Sequence, residues 1–327
     1  MNRRTILQAG LAGLASAILL PAFAQSYPSR PVRIIVPFAA AGPTDAVARK
    51  LADLIGREMG QTIIIDNKVG AGGAIGTAEV ARAAPDGYTL GFSTPDSLIS
   101  IASLVKSPGY DARTDLTMIM NISAGHQILV VSAKSGIKTL DELFALARSK
   151  PGGVSYVSWG PGSRPELQFR MLEPVVGTSF LSIPYKGLGP AMQDLVSNEV
   201  QIGIIPMGMA TQYQQKGWLV PLVVLGSERA PDLPQVKTIK EYGINLPIMD
   251  AKIWNAFFGP KGLPPEVLQR WVTVLNKVTR GDAFQAFLKD VMGQTLIGRQ
   301  TDQFTRDFNE EYVLINDTMR KLGFTPQ

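Results

Sequence analysis

Short β-branched runs that alternate with segments of helical period constrain this chain more than any other feature. Val32-Arg33-Ile34-Ile35-Val36, held between Pro31 and Pro37, has the make-up of a buried strand. After the loop Phe38–Pro43, the apolar positions Val47, Leu51, Leu54, Ile55 and Met59 keep a 3.6-residue period up to Gly60, which reads as a helix and its stop. A second strand, Thr62–Ile65, leads into the glycine-rich turn Val69–Gly76. A small-residue helix, Thr77–Ala84, and a strand around Tyr88–Phe92 follow. Strand–helix–strand–helix–strand is the signature of a mainly parallel sheet wrapped by helices.

A second such series starts at Ile128-Leu129-Val130-Val131. Its first helix, Leu140–Ser149, opens with Thr139-x-x-Glu142, a capping box in which each side chain satisfies the other residue's free N–H. Strand Val154–Ser158, loop Trp159–Gly162 and a helix with a second expected box, Ser163-x-x-Glu166, come next. Strand Leu181–Ile183, helix Pro190–Val196 and strands Ile202–Ile205 and Leu219–Leu225 complete the series. Trp254–Phe258 reads as a returning strand, and helices are expected over Glu266–Thr279 and Gln303–Leu322. The expected fold class is therefore α/β, two lobes around a cleft, with residues 25–124 plus 226–327 in one lobe and 125–225 in the other. Ligands of open α/β sheets bind where strands end, so the cleft is the expected site.

The same residues exclude much chemistry. His126 is the only histidine, no Gly-x-Ser-x-Gly elbow occurs, and cysteine is absent, which removes thiol catalysis and thiolate metal sites. His126, placed just before a strand, fits a surface or hinge residue. Two Ser-x-x-Lys matches, Ser103–Lys106 and Ser135–Lys138, lack the companion motifs of serine acyl-enzymes. The turn Gly70-Ala71-Gly72-Gly73-Ala74-Ile75-Gly76 misses the dinucleotide fingerprint, because Ile75 stands where the third glycine is required. No enzyme, cofactor or metal is expected from this inventory.

What remains is anion capture. Phe38-Ala39-Ala40-Ala41-Gly42-Pro43-Thr44-Asp45 offers small residues that allow close backbone approach, followed by a helix start with unpaired N–H groups. Asp45 is expected to cap that helix. The glycine turn and Trp159-Gly160-Pro161-Gly162-Ser163 offer the same logic, and Tyr185-Lys186-Gly187 ends a strand with a hydroxyl and a cation.

At the N-terminus, Arg3 and Arg4 precede an apolar stretch, Leu11–Leu20, and Ala22-Phe23-Ala24, the anatomy of a secretory signal peptide over residues 1–24. Export by the general or the twin-arginine route places the mature chain in the periplasm. Loss of Arg3 and Arg4 takes the net charge from +5 to +3, too weak and too scattered for nucleic acid.

Several segments together are similar to one family. Tyr27-Pro28-Ser29-Arg30-Pro31-Val32-Arg33-Ile34-Ile35-Val36-Pro37-Phe38 with Gly42-Pro43-Thr44-Asp45 resembles the opening of the Bug, or TctC, substrate-binding proteins of tripartite tricarboxylate transporters. Gly70-Ala71-Gly72-Gly73, Ala84-Pro85-Asp86-Gly87-Tyr88-Thr89-Leu90, Pro184-Tyr185-Lys186-Gly187 and Ser227-Glu228-Arg229-Ala230-Pro231-Asp232-Leu233-Pro234 match further family signatures, in order. The resemblance implies a two-lobed, type II-like periplasmic binder. It would close on a carboxylate held largely by backbone amides and pass it to membrane permease subunits. A sensor adaptor is the alternative role, and a monomer is expected. The sequence departs from the family at Ala41, where a glycine is usual, and at Ala74, Glu166 and Ile205, where Asn, His and Asp are common.

The candidate ligand-binding residues are Phe38, Ala40, Ala41, Gly42, Thr44, Asp45, Gly73, Ala74, Thr94, Asp96, Ser158, Ser163, Arg164, Tyr185, Lys186 and Met207. Ala74 and Ile205 are expected to make the cleft less polar, with Phe38, Trp159, Met207 and Trp254 adding apolar surface. An aromatic or otherwise apolar carboxylate suits such a cleft, with Arg164 or Lys186 available for a second carboxylate.

Overall fold

The first strand is mostly β-branched and takes a position with a neighbour on either side. In the computed structural model, which describes residues 27–250 and 252–325, β1 (Val32–Val36) is flanked on both sides by parallel partners. These are β2 (Ile63–Asn67) and β3 (Thr89–Ser93), with Ile34 opposite Ile65 and Leu90. Alternation along β1 divides its side chains between faces. Val32, Ile34 and Val36 pack with Val47, Leu51 and Ile55 of α1 (Pro43–Met59), while Ile35 points into the other core. Gly60 ends α1 in the left-handed conformation, as its position just past the last periodic residue predicts. α2 (Ala74–Ala81) then joins β2 to β3.

Two sheets share the chain. The first runs in the order β11-β4-β10-β3-β1-β2, where β4 is Leu116–Gly125, β10 is Ile253–Pro260 and β11 is Thr295–Gln300. The second runs β7-β6-β8-β5-β9, with β5 Gln127–Ser132, β6 Ser155–Ser158, β7 Leu181–Pro184, β8 Ile202–Pro206 and β9 Leu219–Leu225. Helices α3 (Leu140–Ser149), α4 (Arg164–Val176), α5 (Leu188–Ser197) and α6 (Met207–Gln215) belong to the second series. The C-terminal α7 (Pro265–Arg280) and α8 (Thr301–Lys321) return to the first, where Trp271 and Leu275 complete its core.

Both sheets are mixed, which corrects the expectation of mainly parallel ones. β1–β2, β1–β3, β6–β7 and β6–β8 pair in parallel; the pairs made by β4, β5, β9, β10 and β11 are antiparallel. The antiparallel strands include those that carry the chain between sheets. Only His126 separates the end of β4 from the start of β5, and β10 comes back from the second sheet to insert between β3 and β4. A strand entering from the far sheet arrives in the opposite sense to one launched by a local crossover helix. The expected signal peptide, residues 1–24, lies outside the described residues.

The Thr139 capping box forms as expected, with the Glu142 N–H donating to Thr139 Oγ1 and the Glu142 carboxylate accepting from the Thr139 N–H. The second expected box does not. Ser163 Oγ accepts the Trp159 N–H, and Glu166 reaches past Ser163 to the Gly162 N–H at 2.7 Å. Both side chains close the Trp159–Gly162 loop instead of capping α4. Burial pushes the Glu166 carboxyl up, against the Gly162 N–H, which favours its ionised form.

Candidate functional site

A cavity lies between the sheets, with walls from both. Phe38, Ala39, Gly42, Pro43, Thr44, Thr94, Asp96 and Ile253 come from the first sheet's elements, and Gln127, Trp159, Gly187, Leu188, Ile204 and Pro206 from the second's.

Two helix starts converge on this space. Gly42 is the residue before α1, Pro43 and Thr44 are its first two, and all three line the cavity. Gly187 precedes α5 and Leu188 opens it, and both line the cavity too. The first N–H groups of a helix lack intrahelical acceptors and carry the positive end of its dipole. A ligand between the two starts would therefore meet the positive ends of two helices, with Asp96 the one Asp, Glu, Lys, Arg or His in the cavity lining. Gly187 has φ +140°, and a Cβ there would stand 3.8 Å from Ala39 N, so the α5 loop rests against the β1–α1 loop.

Asp45 behaves differently from the expected cap. It is the third residue of α1, and its Oδ2 accepts the Ala41 N–H at 2.9 Å and Arg49 Nε at 2.8 Å, while Oδ1 accepts Asn67 Nδ2. Burial opposes its ionisation, but Arg49, Asn67 and the Ala41 N–H together hold the carboxyl below its usual range. Asp45 thus faces away from the cavity and ties the loop back onto the helix.

The other candidates divide as plainly. Phe38, Gly42, Thr44, Thr94 and Asp96 line the cavity. Ala40 and Ala41 are exposed and do not line the cavity, and the Ala41 N–H is spent on Asp45. Gly73 is buried with its N–H bonded to Gly70 O and its carbonyl accepting Thr77 Oγ1, and Ala74 belongs to the core. Ser158 Oγ is engaged by Ser182 Oγ at 2.8 Å, and Ser163 Oγ by Trp159. Tyr185 donates its hydroxyl to Asp194 at 2.6 Å, Lys186 is exposed, and Met207 packs beside Ile205 with its N–H on His126 O.

Arg164 is the largest departure. Its guanidinium is fully buried, with Nη2 2.5 Å from Glu311 Oε1 of α8; Trp254 Nε1 donates to Glu311 Oε2. Nη2 is thus engaged from within the chain, while Nε and Nη1 are buried without a hydrogen-bond partner and Arg164 stands outside the cavity lining. Trp254 is core, edge-on to Phe304, and does not line the cavity.

Ile205 is also corrected. It is fully buried against Ile128 and Val224, on the opposite face of β8 from Ile204 and Pro206, which do line the cavity. The two-residue period of a strand carries that information, since Ile204 and Ile205 must face opposite ways. Trp159, anticipated as added apolar surface, is in the wall; Gln127, Leu188 and Ile253 were not anticipated.

His126 sits where the chain passes from the first sheet to the second, with Nδ1 3.2 Å from Leu225 O, where the chain leaves the second. Burial and then Lys252 lower its pKa, so it stays neutral near pH 7. Beside it, Gly208 and Gly293 bring their backbones so close that a Cβ on Gly208 would lie 2.6 Å from Gly293 N. Among the described residues no cluster of His, Cys, Asp and Glu could hold a metal ion, and no helix is long and apolar enough to cross a membrane.

Residues 47–321 match the tripartite tricarboxylate transporter family receptor, TctC. Protein BugT of Bordetella pertussis (strain Tohama I) is 33% identical over 311 residues, covering 94% of each chain. The structure of periplasmic binding protein BugD superposes with a TM-score of 0.85 at 31% identity, over 92% of this chain and 100% of that one. R. palustris Rpa4515, solved with adipate, gives a TM-score of 0.86 at 26% identity, over 92% of this chain and 100% of its own. With two mixed sheets, a cavity between them and this degree of likeness along nearly its whole length, the chain belongs to the Bug/TctC family of tripartite tricarboxylate transporter receptors.

Proposed function

We propose that this protein is a periplasmic solute-binding protein that captures a small carboxylate and delivers it to the membrane permease subunits of a tripartite tricarboxylate transporter. The observation that carries the reading is the convergence of the α1 and α5 starts, from different sheets, on one cavity. Residues 25–124 plus 226–327 form one lobe and 125–225 the other, hinged near Gly125 and Leu225, so that closure brings the two helix starts onto one anion. The adipate bound by a relative supports a carboxylate as the ligand class. The chain acts by binding and release.

The wall argues for a ligand with an apolar body. Phe38, Trp159, Leu188, Ile204 and Ile253 offer nothing to the distal groups of a fully polar acid. Each group left unsatisfied there costs about 1–3 kcal/mol. An aromatic or branched-chain acid buries its body against the same surface.

A thermal-shift panel of mono-, di-, tri- and aromatic carboxylates tests the reading. A ligand at a hundred times its Kd stabilises the folded state by about 2.7 kcal/mol, which raises the melting temperature measurably. Acids with apolar bodies are expected to give the largest shifts. Tight binding of citrate with no response to any apolar acid would contradict the apolar-body reading.

A further inference from the structure

The cavity wall contains two buried polar atoms that the protein leaves unpaired. Asp96 follows β3 and is 5% exposed, and its Oδ1 has no partner; Thr94 Oγ1, two residues earlier, is also buried and unpaired. Both residues line the cavity. An orphaned buried acceptor costs stability unless something supplied from outside satisfies it, so such atoms in a binding cavity mark where a ligand's donor belongs.

The charges around Asp96 specify that donor further. Behind it lies the Arg164–Glu311 ion pair, in which one guanidinium and one carboxylate offset each other. Asp96 feels both: Arg164 attracts its charge and Glu311 repels it. Two carboxylates and one guanidinium leave one negative charge in excess. The residues lining the cavity include no Lys, Arg or His to balance it. Burial accordingly pushes the Asp96 carboxyl up, although Arg164, its backbone N–H and the Trp159 indole pull the other way. A plain carboxylate in this cavity is compatible only with a protonated Asp96, whereas an ammonium group favours the ionised form and pairs with it.

We propose that the ligand is zwitterionic: an amino-carboxylate with an apolar body, whose ammonium donates to Asp96 Oδ1 and Thr94 Oγ1 while its carboxylate meets the α1 and α5 starts. This rests on the carboxylate reading of the same cavity and narrows it. Asp96 is then the residue that selects amino acids from among carboxylates, by a charge-assisted hydrogen bond in a dry site.

Matched pairs test it by calorimetry at pH 7: phenylalanine against 3-phenylpropanoate, leucine against 4-methylpentanoate, and glutamate against glutarate. In the wild-type protein at least one amino acid is expected to bind ten or more times more tightly than its deaminated partner. Asp96→Asn, which keeps the shape and removes the charge, should abolish or invert that preference. Thr94→Val should weaken the amino acid severalfold and leave the deaminated acid unchanged, which keeps a readout should Asp96→Asn fold poorly. Tighter binding of the deaminated acids by the wild type overturns the zwitterion and leaves the carboxylate reading standing, with Asp96 holding a proton. Binding of neither member of any pair overturns both.

Discussion

The carboxylate of Asp45 accepts the backbone N–H of Ala41 at 2.9 Å, so the loop at the cavity mouth is tied to the helix that follows it. Arg49 Nε and Asn67 Nδ2 hold the same carboxylate from the other side. Asp45 therefore sets the loop's shape, and Gly42, Pro43 and Thr44 are left to meet the cavity. Asp45→Asn is expected to destabilise the fold by about 1–3 kcal/mol near neutral pH, the scale of hydrogen bonds to a charged group. The folded carboxyl lies below its ordinary value, so its contribution is complete above the usual aspartate value of about 3.9 and fades as pH falls through the lowered one. Denaturant melts of both proteins from pH 7 to pH 2 check this: the gap between them should close on acidification. A gap that is constant with pH would assign the effect to packing.

Ala41 adopts φ +62°, a left-handed conformation that costs an L-residue roughly 1–2 kcal/mol and glycine almost nothing. A glycine at this position would carry no such strain. Ala41→Gly should stabilise the protein by about 1 kcal/mol, read as a higher denaturation midpoint at unchanged slope. Unchanged or lower stability would mean that the freedom gained by the unfolded chain outweighs the relieved strain.

Glu311 on α8 is what allows Arg164 to be buried as a cation. Glu311→Ala leaves that charge unpaired and is expected to cost about 3–5 kcal/mol. Replacing both, as Arg164→Met with Glu311→Leu, should cost less than the sum of the single changes, because no orphaned charge remains. Strict additivity in denaturant melts would show that the pair is not coupled.

How far the sequence reaches is visible in these same residues. β1 and β9 are legible to the residue, because Val32–Val36 and Leu219–Leu225 are apolar runs with clear flanks. β4 and β11 carried no assignment. Asn121 and Ser123 interrupt the apolar run of the first, and Gly298, at φ +65°, sits in an irregular stretch of the second. The first-loop candidates Phe38, Gly42 and Thr44 reached the cavity because a helix start after a strand is a local feature. Arg164 could not be placed from its neighbours in sequence, since its partner Glu311 is 147 residues away. Ile205 was assigned to the cleft by analogy, when strand alternation already assigned that face to Ile204.

Gly42 offers the cleanest single change at the site. Its φ of −81° is open to any residue, and a Cβ there would lie 3.3 Å from Ala39 O, a contact that a small loop shift relieves. Gly42→Val therefore adds bulk to the cavity wall with little expected loss of fold. Ligand affinity should fall tenfold or more with the melting temperature nearly unchanged. Unaltered affinity would mean that the α1 start does not seat the ligand.

The central claim is that the converging helix starts bind a carboxylate group, and calorimetry comparing an acid with its own primary amide isolates that group. Adipate, benzoate and phenylalanine, each titrated beside its amide, keep the body of the ligand constant while the negative charge is removed. At least one acid should bind with a preference of a hundredfold or more over its amide, and Gly42→Val should erase most of that preference. Equal binding of acid and amide, or no binding of any acid at millimolar concentration, would contradict the account.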